Sequence, residues 1–230
     1  MYGYTIPMAL EDFIPVILSA VGFYFLSRMI IGLDKTSGKV AFASSTLIVL
    51  GGVSKAMWKL IVASNGIDIV WMNSALFICL APGFTFFSWA LWNAFQVYAG
   101  KELAKNVWIR PFAVYALFAV GAIAAYITTP EERYWFFILL TLTTFANLAV
   151  GVSLIRQARQ LELPIVAGLF LFNIVIVFIL SGLARAPQTA SMQWIEQGLQ
   201  TLSQAAFAFA SWKMYKAISG EEVSVVAAAD

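Results

Sequence analysis

Apolar residues fall along this chain in seven stretches long enough to cross a bilayer, separated by short polar links. Hydrocarbon offers the backbone no hydrogen-bonding partner, so a spanning segment must be a helix of about 20 residues that pairs its own N–H and C=O groups. The pattern predicts spans at 13–33, 40–62, 70–97, 111–128, 134–155, 163–183 and 192–217, counted here as spans one to seven. Residues 69–100 carry no charge, a run too long for one perpendicular crossing. Pro82-Gly83 within it predicts a single tilted, bent helix rather than two spans. Pro111 stands in the first turn of span four, where a missing N–H costs least. The expected fold class is all-α, a polytopic membrane bundle of seven transmembrane helices over residues 1–218. Residues 219–230 read as a short cytoplasmic tail, frayed and disordered.

The polar links are not equivalent in charge. With the N-terminus outside, the inner links and helix ends hold Arg28, Lys35, Lys39, Lys101, Lys105, Arg110, Arg156, Arg159, Lys213 and Lys216, against Arg133 and Arg185 outside. That bias predicts an N-outside, C-cytoplasmic orientation in the cell membrane.

Composition removes the soluble alternatives. Hydrophobic residues make up 61% of the 230 and charged residues 11%, against roughly 45–50% and about 25% in soluble domains. A soluble helical protein of this size has too little interior to bury so many apolar turns. Nucleic-acid binding, a disulfide-stapled secreted domain and disorder are excluded on the same ground. The N-terminal MYGYTIPMALEDF has no positively charged segment of the signal-peptide kind, and neither terminus carries a lipidation motif.

Histidine is absent. Histidine-ligated haem within this chain is therefore excluded, as are His-containing zinc or iron sites and His-dependent nucleophilic triads. Cys79 is the only cysteine, so no internal disulfide or CxxC pair exists, and it reads as a small core residue. No phosphate-binding glycine loop, HExxH or GxSxG occurs.

The informative residues are polar ones at membrane depth. Lys55 and Lys59 are one turn apart on span two, where each must reach water, find a counter-ion or deprotonate. Lys59 lies near the outer end and can snorkel, whereas Lys55 is deeper. In span seven, Gln193, Gln197, Gln200 and Gln204 repeat at i, i+4, i+7 and i+11, with Glu196 beside them. Lys59 and Glu196 sit at matching depth, which predicts an ion pair and makes spans two and seven neighbours. On span three, Asn93 and Gln96 are expected to face inward, next to Trp89 and Trp92. Asn147 and Asn173 read as interhelical fasteners. Trp58, Trp71, Trp108, Trp135 and Trp194 fall near helix ends and read as interface anchors.

Seven spans with the N-terminus outside are also the topology of retinal proteins and seven-helix receptors. Covalent retinal on the last span is disfavoured, because Leu199–Trp212 contains no lysine, Ala208 stands near its middle and Lys213 is at the inner end. Sugar transporters with three-plus-one-plus-three helices share the length and orientation, but no repeat relates spans one to three to spans five to seven.

The leading reading is a small-molecule-binding protein or transporter with an internal polar site between spans two, three and seven. Its candidate ligand-binding residues are Lys55, Lys59, Asn93, Gln96, Glu196, Gln197, Gln200 and Gln204; no catalytic or metal-ligating set is assigned. Three alternatives stay open. They are a noncatalytic subunit of a larger membrane complex, a seven-helix sensor or receptor, and a lipid-modifying enzyme drawing on the outer acids Glu11, Asp12, Asp68, Glu131, Glu132 and Glu196. Membrane lipids are the expected surroundings. A small-molecule ligand and a homo-oligomeric or membrane-complex partner are the candidate partners, and nucleic acid is not.

Overall fold

A computed structural model describes residues 5–183 and 189–227, with side chains described as far as residue 220. Arg185, assigned to the outer side above, lies outside the described residues, as do the side chains of the tail. The chain forms α1 (Ile6–Glu11), α2 (Phe13–Leu33), α3 (Lys35–Asn65), α4 (Val70–Tyr98), α5 (Ile109–Thr128), α6 (Tyr134–Gln160), α7 (Pro164–Leu183) and α8 (Ala190–Ala227). Spans one to seven thus correspond to α2 to α8.

Six helical stretches are long and apolar enough to cross a membrane, with α1 and α2 counted together as Ile6–Leu33. The protein is an all-helical, multi-pass membrane protein, and its outer surface agrees. Ile165, Leu117 and Ile127 are each more than 70% exposed on the surface that lipid would cover. The seventh long helix, α8, interrupts its apolar run with Glu196 and a series of glutamines.

Local signals set the helix ends. Asp34 takes an extended conformation and accepts a 2.7 Å hydrogen bond from the Ser37 N–H, capping α3 immediately after α2 stops. Gly66 ends α3 at a φ of 73°, where a side chain would be strained. Pro82 lies inside a continuous α4, so the long uncharged run is one helix.

Six helices close a ring in the order α2, α3, α4, α6, α7, α8, with α5 outside it against α6 and, more lightly, α4. Only Pro111 and Ala122 of α5 are buried. The centre is aromatic. Phe23 of α2 meets Phe87 of α4 at 4.9 Å and Phe207 of α8 at 5.0 Å, and Phe207 reaches Phe170 of α7. Leu26, Leu91, Leu154 and Met214 fill the space around them. Small residues let helix axes approach: a methyl at Gly83 would stand 2.7 Å from Ile48 Cγ1 and 3.1 Å from the Ser44 carbonyl oxygen.

Candidate functional site: a charged cluster held by α1

Alpha1 is the short helix that positions the site. It begins with Pro7 in its first turn, buries Met8 and Ala9 in the bundle, and breaks at Asp12 before α2 begins. Burying that apolar face turns Glu11 and Asp12 toward the neighbouring helices, and α1 accordingly packs on α2, α3 and α8. Asp12 is only 8% exposed, so its carboxylate must be compensated by protein groups.

Those groups come from both sides. Lys59 Nζ of α3 lies 2.5 Å from Asp12 Oδ2. From α8, the Gln197 amide donates to the Met8 carbonyl at 2.9 Å and to Asp12 Oδ1 at 3.3 Å. One turn further along, the Thr201 hydroxyl donates to Glu11 Oε1 at 2.5 Å. Lys55 lies a turn deeper on α3, within electrostatic reach of Lys59, Asp12 and Glu196. Among the described residues no carboxylate stands within ion-pair distance of Lys55, and its ammonium makes no hydrogen bond. Three buried acceptors in the same region, Glu11 Oε2, Gln193 Oε1 and Gln197 Oε1, likewise have no hydrogen-bond partner.

This geometry revises how the two spans meet. In the ring α2 stands between α3 and α8, and α3 and α8 do not pack side by side. The polar faces of α3 and α8 are joined through α1, which leads into α2 through a helical Asp12 and packs against both α3 and α8. Glu11 and Asp12 were legible in the sequence as outer acids, but their role as the counter-charges of α3 was not. The available signal was an adjacent acid pair between Pro7 and Pro15, at the depth of Lys59.

The remaining candidates disperse. Gln200 is exposed on the outer face of α8 and Gln204 is half-buried. Asn93 is fully buried on α4 with neither amide atom hydrogen-bonded, one turn from the unpartnered indole N–H of Trp89. Ser54 Oγ donates to the Met72 carbonyl, which fixes the register of α3 against α4. From that point Asn93 is on the order of 30 Å further along α4 at 1.5 Å per residue, so Asn93 and Gln96 do not join the Lys55 cluster. Asn173 donates to Ser203 Oγ at 2.8 Å and fastens α7 to α8. Trp58 is no lipid-interface anchor: it is 3% exposed and donates to Asp68 Oδ1 at 2.8 Å.

Two cavities lie away from the cluster. One of about 910 Å³ is lined by Trp71, Tyr115, Tyr126 and Trp135, with Asp68 and Arg133 also in its wall, between α4, α5 and α6. The other, of about 640 Å³, lies where α4 and α6 end and includes Gln96. Among the described residues no group of three or more acidic or cysteine side chains is arranged to hold a metal ion. No family model, curated protein sequence or solved structure matches this chain.

Proposed function

We propose that this protein binds a small polar molecule at the α1–α3–α8 cluster and moves it across the membrane, with the N-terminus outside and the C-terminus cytoplasmic. The observation that carries this reading is Lys55: an intramembrane lysine with no ion-pair partner among the described residues, beside a neighbour that has one. An uncompensated ammonium at this depth is costly for a merely structural role. An acidic or carbonyl oxygen from a ligand would offset that cost. Glu11 Oε2, Gln193 Oε1 and Gln197 Oε1 ask for the opposite kind of group, N–H or O–H donors. The ligand class that supplies both is a small amino or hydroxy acid. Alpha1 is the element suited to gate such a site, since it is a single short helix held on its far side by Gln197 and Lys59.

Uptake of radiolabelled amino acids and hydroxy acids into proteoliposomes tests this directly. Lys55→Leu is expected to abolish uptake of the transported compound, and Lys59→Leu to reduce it less, because Lys59 already has Asp12. Wild-type uptake by both variants would refute the assignment. A second reading, a noncatalytic subunit of a membrane complex, is favoured by one observation: Gln200 is exposed on the lipid-facing side of α8, where a partner chain would satisfy its amide.

A further inference from the structure

The cavity of about 640 Å³ at the opposite end of the bundle has its own chemistry, independent of the Lys55 cluster. Two helix terminations build its walls. Alpha4 closes with Gly100 at a φ of 73° and the Lys101 N–H on the Gln96 carbonyl. Alpha6 closes in the same way, with the Leu163 N–H on the Ala158 carbonyl, but with Glu162 at a φ of 57° in the position that favours glycine. The side chains that line the space include Trp92, Gln96, Lys101, Arg156, Gln157 and Glu162. Gln157 is 6% exposed, a buried amide at the cavity wall. Neither Lys101 nor Arg156 has a carboxylate within ion-pair distance among the described residues, although Glu162 shares their cavity. Lys101, Arg156 and Glu162 are exposed at its mouth, so two solvated cations and one anion border a space of ligand size.

We propose that this cavity binds a phosphate-bearing anion. Arg156 and Lys101 take the phosphate oxygens, the amides of Gln96 and Gln157 take adjoining hydroxyl or ester oxygens, and Trp92 covers the apolar remainder. A planar guanidinium is well suited to two phosphate oxygens at once. The cavity lies at the end of the bundle that gathers Lys35, Lys39, Lys105 and Arg110, so an anionic phospholipid headgroup and a soluble phosphate ester are both available sources of that chemistry.

The test uses the full chain in an uncharged detergent, titrated with short-chain phosphatidylglycerol, short-chain phosphatidylcholine and glycerol 3-phosphate, with tryptophan fluorescence and thermal unfolding as readouts. Phosphatidylglycerol is expected to bind, and the double variant Lys101→Gln/Arg156→Gln to weaken it at least tenfold. Glu162→Gln removes the opposing charge and is expected to tighten binding several-fold, a gain that misfolding does not produce. Binding of phosphatidylglycerol without glycerol 3-phosphate supports the site with a lipid as its source. Comparable binding of glycerol 3-phosphate supports it with a soluble ester. Equal binding of phosphatidylcholine, retention of affinity by the double variant, or an unchanged affinity in Glu162→Gln would each overturn the proposal.

Discussion

At Lys59 and Asp12 the governing quantity is the cost of taking charge out of water. Asp12 lies between α1 and α2 with little exposure, and Lys59 meets it at 2.5 Å. Such a pair need not stabilise the fold relative to two apolar residues, because both ions are desolvated, but breaking it strands one charge. Lys59→Met and Asp12→Asn are each expected to destabilise the protein by about 3 kcal/mol. The double variant should be less harmful than the sum by at least about 1 kcal/mol, measured by detergent-phase unfolding. Additive losses would mean that each group is solvated separately. Asn93 presents the converse case, since its buried amide has no partner to lose. Replacing it with leucine, which has the same branched shape, removes two unsatisfied groups, and Asn93→Leu is expected to raise stability by about 1–3 kcal/mol in the same assay.

Among the elements, α1 and α8 do the most to set the site, and neither is a typical span. Alpha1 has only six residues and joins α2 through a helical Asp12; its order is supported further by Met8 and Ala9 packing into the bundle and by Gln197 at the Met8 carbonyl. Losing that last bond is worth about 1 kcal/mol, or about a fivefold rise in the open population. Gln197→Leu should therefore speed amide hydrogen exchange at Ala9–Asp12 about fivefold, while exchange in α2 beyond Gly22 stays unchanged. An equal change along the whole of α2 would show that α1 and α2 open as one unit. Alpha8 can carry Glu196, Gln197 and Thr201 in a bundle because α2 and α7 flank it and α1 meets its polar side. Alpha5, in contrast, is apolar almost all round and barely buried.

For the whole molecule, the antiparallel run of α3 and α4 places the charged cluster and the proposed phosphate-type cavity at opposite ends of the ring. The end carrying the cavity also carries the ten basic residues counted above, whereas of the two assigned to the other end Arg133 alone lies among the described residues. The proposed orientation puts that end in the cytoplasm. In a Cys79→Ala background, Leu103→Cys should be labelled by a membrane-impermeant thiol reagent only after the cytoplasmic face is opened. Pro130→Cys should react from outside in intact cells. Labelling of both from one side would break the alternation of α5.

How much of this was legible in the chain depends on the range of the physics involved. The helical spans follow from local hydropathy, because a bilayer imposes the same length and self-paired backbone on every segment. The end of α3 at Gly66 follows equally from residues within one turn of it, whereas its start does not: hydropathy begins the span at residue 40, and the Asp34 cap carries the helix back over the polar residues 35–39. The importance of Lys55 was legible for the same reason: a charge in an apolar run is conspicuous whatever surrounds it. Its surroundings were not legible. Depth along each helix can be counted from the sequence, and it placed Lys59 level with Glu196. Azimuth and ring order cannot be counted, since every apolar face finds hydrocarbon or a neighbouring helix equally acceptable. Tertiary packing put α2 between α3 and α8, and the burial of Met8 and Ala9 against the bundle accompanies the approach of Asp12 to Lys59. The sequence by itself therefore determined the membrane, the spans and the unusual charges, whereas tertiary structure decided which charge met which, because pairing depends on rotations and ring order that hydropathy leaves undetermined.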